Sequence, residues 1–395
     1  MSNARIILRA IGEQDNYISQ NTRNTFFLPS NKTHTQFGSN WIVITNNDRN
    51  RTEFINSKGS LYFRIPEDGD IIKECYIRIK IPNDGNLSNW KFQPFQTRET
   101  LFNIIDSIEF VCDQKVLSKL DSEYIFSYFE LNCNSAEINN LANTTSINNA
   151  SLGNSDSYIY LTCPIPLWFH KNPGSSFPIW ALNHSNVGVK INLKDYDYEP
   201  NTQPRKIHDI ELLTEFGYLS QEEKDKFKNT SLEYIIEVPE KIDSCLITKT
   251  KYRFDITKTH FIKYLYWFIK DDDYAFSSDI DTCFININGN YAIDTEQPRY
   301  YSDINRYRYF NSEASMSLDG NFRPKTTLNP IYIYSFSLEP IEKKTSGFIS
   351  TQKFNTCSLE INFNNNAYNK DLYIYSVKHN IVRFKDGSLS LLFNN

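Results

Sequence analysis

Six histidines, seven cysteines and 47 acidic side chains are the groups with which this chain of 395 residues could do chemistry. A metal centre needs several such donors at a fixed spacing. His34, His170, His184, His208, His260 and His379 never stand at ligand spacing with cysteine or carboxylate. His170 and His184 flank one strand connection and could meet in space, but a lone histidine in a turn is ordinarily polar surface. Asp271-Asp272-Asp273 superficially suits a cation; it follows an aromatic strand and precedes Tyr274, so it reads as a solvated turn. Cys75, Cys112, Cys133, Cys163, Cys245, Cys283 and Cys357 form no Cys-x-x-Cys pair. An odd, dispersed set of this kind fits buried thiols in a reducing compartment better than a disulfide framework. No Gly-rich phosphate loop, nucleophile elbow or Cys-His-Asn arrangement is visible. Paired carboxylates for glycoside hydrolysis can come from distant strands and leave no local mark, which keeps a jelly-roll carbohydrate-binding protein or glycosidase open as another class of function. On these residues we expect no catalytic, cofactor-binding or metal site, and no cofactor.

Composition narrows the partners. A net charge of -5 argues against a chain that neutralises many phosphates. Lys224, Lys226 and Lys228 alternate with acids and Phe227, and read as a solvated helix face. The 28 Phe and 25 Tyr, against 2 Met and 13 Gly, supply aromatic surface for cores and large interfaces. Met1 to Ala10 is too short and too charged for a secretory signal. The most apolar stretch, Phe261 to Ile269, contains Lys263 and is about half of the ~20 residues that a spanning helix needs. Sequons at Asn31, Asn86, Asn143 and Asn229 are expected to be unused.

The elements that must position these residues are mostly strands. Cys75, Ile77, Ile79 and Ile81 alternate with Tyr76, Arg78 and Lys80; Val187 to Leu193 and Leu359 to Phe363 alternate in the same way. Ile331 to Leu338 places Tyr332, Tyr334, Phe336 and Leu338 on one face and Ile331 and Ile333 on the other. That pattern predicts burial on both sides at a sheet–sheet or domain interface. Ser220-Gln221-Glu222-Glu223 has capping-box spacing and predicts a short helix to about Phe227. A second helix should follow Asp121, with Tyr124, Ile125, Tyr128, Phe129 and Leu131 sharing a face, and then an Asn-rich loop from Cys133 to Ser157. Asn288-Gly289 predicts a hairpin turn. Ile105 to Phe110 is echoed by Ile280 to Ile285, and Tyr158-Ile159-Tyr160 by Tyr332-Ile333-Tyr334, both at an offset of about 175 residues, as two copies of one domain would give. The boundary falls around the capped helix, at residues 218 to 238.

The run Trp168-Phe169-His170-Lys171-Asn172-Pro173-Gly174, followed by Pro178, Ala181 and Leu182, reads as an aromatic strand end, a turn and a second strand. It resembles a signature of the major capsid proteins of nucleocytoplasmic large DNA viruses. Other segments follow that family in order. Gly12-Glu13-Gln14-Asp15, Phe26-Phe27 and Lys32 to Phe37 come first, then Asp68-Gly69-Asp70-Ile71-Ile72, Tyr218 to Phe227, Glu233 to Glu237, Arg308-Tyr309-Phe310, Ile331 to Pro340, Ser346-Gly347 and Asn380 to Arg383. Thr33, Gln36, Thr345, Ser350, Gln352, Asn355 and Ser388 depart from its usual residues and mark a divergent member. The resemblance implies an all-β double jelly roll, two eight-stranded β-sandwich domains side by side with a few short helices in connections. It divides the chain into an N-terminal arm (1–25), a first jelly roll (26–217), an interdomain helix and linker (218–238) and a second jelly roll (239–395). The implied function is structural: a homotrimer forming a pseudo-hexagonal capsomer that tiles an icosahedral capsid, or a minor capsid or scaffold protein of the same fold. Implied partners are further copies of the chain, minor capsid proteins and, through Arg5, Arg9 and Arg23 of the arm, an inner viral membrane, with no direct nucleic-acid binding. The implied location is the virion, assembled in the host cytoplasm.

Overall fold

Alternation with period two becomes strand throughout the computed structural model, which describes residues 35–45, 59–82, 100–145, 158–183, 185–194, 207–228, 232–256, 260–270, 276–292, 297–310 and 330–393. Residues 37–395 form one compact unit. It begins with β1 (Phe37–Thr45), β2 (Ser60–Arg64), β3 (Ile71–Pro82), α1 (Thr100–Ile104), β4 (Ile105–Cys112) and β5 (Lys115–Asp121). Then come α2 (Ser122–Asn132), α3 (Ser135–Thr145), β6 (Tyr158–Pro164), β7 (Phe177–Pro178), β8 (Val187–Leu193), β9 (Asp209–Leu219) and α4 (Gln221–Lys228). The rest is β10 (Leu232–Leu246), β11 (Lys251–Asp255), β12 (Ile262–Lys270), β13 (Phe276–Ser277), β14 (Ile280–Ile287), β15 (Asn290–Tyr291) and α5 (Asn305–Tyr309). β16 (Tyr332–Ser335), β17 (Cys357–Phe363), β18 (Asp371–Lys385) and β19 (Ser388–Leu391) close the chain.

The strands pair antiparallel in four sheets whose orders repeat. β1-β9-β3-β6 and β2-β8-β4-β5 recur as β10-β18-β12-β13 and β11-β17-β14-β15. Eight strands on the two matching paths of each barrel make the double jelly roll, and three further strands pair off those paths, β7 on β3, β16 on β12 and β19 on β18. The repetition extends to irregularities. β3 bulges against β9 between Ile72 and Glu74, and β12 against β18 between Ile262 and Tyr264, so Lys73 and Lys263 are the extra residues. β4 and β14 bulge at Asp106 and Asp281. Beside each bulge an asparagine amide donates across the sheet, Asn192 to Ser107 Oγ at 2.9 Å and Asn362 to Thr282 Oγ1 at 2.6 Å. Bulges bend strands and raise twist, and here they sit at matching corners of both barrels. The hairpins match as well: Asp113-Gln114 and Asn288-Gly289 both take positive φ, the two-residue turn compatible with strand twist.

Inward alternation builds the cores. Cys75, Ile77, Ile79 and Ile81 of β3 meet Phe63, Phe110, Val189 and Ile191 in one cluster. Leu265, Trp267 and Ile269 of β12 meet Cys283, Ile285, Leu359 and Ile361 in the other. Each large apolar side chain so enclosed contributes roughly 1.5–3 kcal/mol.

Three local expectations need correction. The Asn-rich stretch after Cys133 is helical up to Thr145, as α3, because Asn134 and Glu137 form a reciprocal cap: Glu137 N donates to Asn134 Oδ1 at 2.9 Å and Asn134 N to Glu137 Oε2 at 3.1 Å. Residues 146–157 lie outside the described set, as do His34, His184, Asp271 to Asp273 and the arm 1–25. The strand predicted from Ile331 to Leu338 ends at Ser335, where Ser335 Oγ folds back onto the Ser337 carbonyl at 2.7 Å, and Leu338 is exposed. Ile333 and Tyr332 do divide between the two cores. Lys224, expected on a solvated face, pairs with Asp70 at 2.7 Å, whose other oxygen accepts from Leu219 N at 2.8 Å. Ser220 caps α4 as predicted, accepting from Glu223 N at 3.4 Å.

Candidate functional site

Of the groups singled out by the sequence, the Trp168 turn and the helix α2 meet the second barrel at the seam between the two, whereas His208 packs on Tyr158, His260 on Phe261, and the cysteines are divided between the two cores. β12 is buried on both faces because both alternating sets are apolar: Tyr264, Tyr266 and Phe268 turn toward the first barrel, Leu265, Trp267 and Ile269 toward the second core. On the first face lies α2. Its Ser127 hydroxyl donates to the Tyr124 carbonyl at 2.9 Å, which leaves its oxygen to accept from the Tyr266 hydroxyl at 3.0 Å. Tyr124 packs on Tyr375 at 5.9 Å between ring centroids, and Phe126 stacks on Phe276 at 5.4 Å. A small cleft beside Phe126, Phe268 and Phe276 is bordered by Glu123 and Lys270, which face each other at 3.9 Å.

The Trp168 signature is a turn rather than a strand end, with a 3-10 turn at Pro173–Ser175 and only the two-residue β7 after it. Trp168, Phe169 and Phe177 surround Phe110, at centroid distances of 5.4, 5.5 and 5.1 Å. Phe177 also meets Phe384 of β18 at 5.5 Å, joining this knot to the second barrel. The turn leaves two carbonyls without strand partners, and Lys343 donates to both, Trp168 O at 3.1 Å and His170 O at 2.7 Å. Burial pushes the Lys343 ammonium down to about 8. Lys263, the bulge residue of β12, is wholly buried and donates to Glu237 and to the Glu342 carbonyl at 2.6 Å. Arg306 of α5 reaches the Glu130 carbonyl at the end of α2 at 2.8 Å. Cations thus satisfy carbonyls and carboxylates that the crossing of two barrels would otherwise leave buried and unpaired.

His170 is buried in this seam, edge-on to Tyr76 at 6.4 Å, with Nδ1 3.9 Å from Glu74 Oε1 and without a hydrogen bond. Burial, then Lys343 and Lys171, lower its pKa to about 3, so the ring stays neutral. Burial, then Lys263, lower that of His379 to about 4. The thiols go the other way: desolvation pushes Cys75 and Cys112 up to about 12 and Cys133 and Cys357 up to about 11, so none is a thiolate nucleophile at neutral pH. All seven cysteines are unpaired. Among the described residues no three histidine, cysteine or acidic side chains are gathered to hold a metal, and no helix is long and apolar enough to cross a membrane. The seam's contacts join the two sandwiches within one compact unit. Sequence reasoning found Trp168 to Leu182 and α2 but missed Lys343, Lys263 and Arg306. Lys263 alone left a trace, a single charge within an apolar strand.

Comparison with known proteins points the same way. The family described as "Major capsid protein N-terminus" matches residues 25–207. The chain is 23% identical over 406 residues to the major capsid protein of Pyramimonas orientalis virus, covering 98% of each. It is 19% identical over 458 residues to that of Paramecium bursaria Chlorella virus 1, again covering 98% of each. Among solved structures, PBCV-1 VP54 superposes with a TM-score of 0.74 at 17% identity, over 94% of this chain and 100% of that one. The Faustovirus major capsid protein superposes with a TM-score of 0.69 at 8% identity, over 92% and 93%.

Proposed function

Because the chain belongs to the major capsid protein family of large DNA viruses, we propose that it is a structural subunit of an icosahedral shell, three copies closing into a pseudo-hexagonal capsomer. The observation that carries this reading is the match to a viral major capsid protein over 98% of both chains. The physical logic agrees. A block of two rigid barrels offers six similar barrels per trimer, and a closed ring of heterologous contacts leaves no open edge to grow fibres.

In this reading the chain divides into an arm (1–25), a first jelly roll (26–217), a linker with α4 (218–238) and a second jelly roll (239–395). Support comes from the repeated strand orders on either side of α4. Beyond neighbouring capsomers, the partners are minor capsid proteins and an inner membrane met by the arm; assembly takes place in the host cytoplasm, and the role is non-enzymatic. Light scattering over a range of concentrations, followed by negative-stain imaging, tests the reading. A constant mass three times the 46.3 kDa of one chain with a hexagonal outline is expected; a monomer at every concentration overturns it.

A further inference from the structure

Among the described residues, the internal repeat has an unmatched half. Within the chain, α2, which stands between β5 and β6, lies on the outer face of the second barrel's sheet β10-β18-β12, where Ser127 bonds Tyr266. The element in the same place of the second barrel, between β15 and β16, is the π turn Tyr300–Ile304 continued by α5. The face in the same place of the first barrel is the outer side of β1-β9-β3. Aligning the bulge lysines Lys73 and Lys263 brings Tyr76 onto the position of Tyr266.

Both unmatched partners are exposed and apolar. Trp41 and Val43 of β1 are each 46% exposed, Trp41 edge-on to Tyr76 at 5.1 Å between centroids. Register extends the patch, since Val43 pairs with Leu213, which pairs with Tyr76. On the helical segment, one side is tied down by Tyr301 against Trp267 at 5.4 Å and by Asn305 bonded to the Ile333 carbonyl at 2.8 Å. The other side presents Ile304, 53% exposed, and Tyr307, 85% exposed, one helical turn apart. Beside them is exposed Arg308; on the sheet, Glu215 and Glu74 are in register with Trp41, Glu215 paired with Lys73 and Glu74 accepting from the Tyr76 hydroxyl within the same chain.

We infer that the outer face of β1-β9-β3 around Trp41, Val43 and Tyr76 is the docking surface for a second copy of this chain, which lays on it Ile304, Tyr307 and Arg308. The contact repeats, between chains, the one that α2 makes on β12 within a chain. It is heterologous, helix of one copy on sheet of the next, so three copies satisfy every helix and every sheet in a closed ring. Aromatic anchors of this kind concentrate binding energy at interfaces.

This inference rests on the trimer proposed above, and the test separates the two. The full-length chain is compared with Trp41→Glu by light scattering, with far-UV circular dichroism and a thermal melt to establish that the half-exposed substitution leaves the fold intact. In parallel, Tyr307 is replaced by the photo-cross-linker benzoylphenylalanine and the adducts are mapped by mass spectrometry. Expected are a threefold fall in mass for Trp41→Glu and intermolecular adducts from position 307 to peptides containing Trp41 to Val43 or Tyr76. A trimeric parent whose adducts map elsewhere overturns the docking surface and leaves the trimer standing, even if Trp41→Glu misfolds. A monomeric parent overturns both.

Discussion

Replacing His170 with phenylalanine should remove a definite part of the protein's acid sensitivity. The ring is buried against Tyr76, its Nδ1 has no hydrogen bond, and phenylalanine fills nearly the same volume, so little packing is lost. The Lys343 bond goes to the backbone carbonyl of residue 170 and survives the substitution. The folded imidazole titrates near 3, below its ordinary 6.5, because burial and the flanking lysines oppose a positive charge. The unfolded chain therefore binds the proton first. Stability is intact above pH 6.5 and is lost as the pH falls toward 3. Between pH 7.5 and pH 5 this linkage amounts to about 2 kcal/mol for the one residue. His379 adds a loss of the same sign, but it is present in both proteins and cancels in their difference. Equilibrium urea unfolding at a fixed protein concentration, repeated at pH 7.5, 6 and 5, measures the effect. The stability of the parent relative to His170→Phe should fall by about 2 kcal/mol over that range. Parallel profiles, with a difference constant to within about 0.5 kcal/mol, would refute the reasoning and show that the seam admits water or a counter-charge.

Lys343→Met strips two carbonyls of their charged donor and should cost about 2–4 kcal/mol in the same assay, where a loss typical of a surface lysine would remove it from the seam. Glu137→Ala breaks the reciprocal cap of α3 and its 2.8 Å pair with Lys171; a cost of about 1 kcal/mol is expected, with faster hydrogen exchange at the first turn of α3, and unchanged exchange there would count against the cap.

Strand after strand was legible in the sequence because a half-buried strand writes its burial into every second residue. Cys75 to Ile81, Val187 to Leu193 and Leu359 to Phe363 all lie where the alternation puts them. The repeat was legible too, as short matches at one offset, because equivalent bulges and hairpins ask for similar residues at Asp106 and Asp281 or Asp113 and Asn288. The cap at Asn134 and Glu137 was present in the sequence and overlooked, hidden among asparagines that favour loops.

What only tertiary structure decided is the seam. A both-sided apolar strand such as β12 announces burial but not against what, since its two faces are chemically alike while one meets its own barrel and the other a neighbour. Lys343 and Arg306 drew no reading from the sequence because nothing in their local spacing reports that carbonyls some 175 residues away, at Trp168, His170 and Glu130, would stand unpaired. Local periodicity records whether a residue is buried; its partner across the fold is a property of the closed structure, and the chain carries no short-range mark of it.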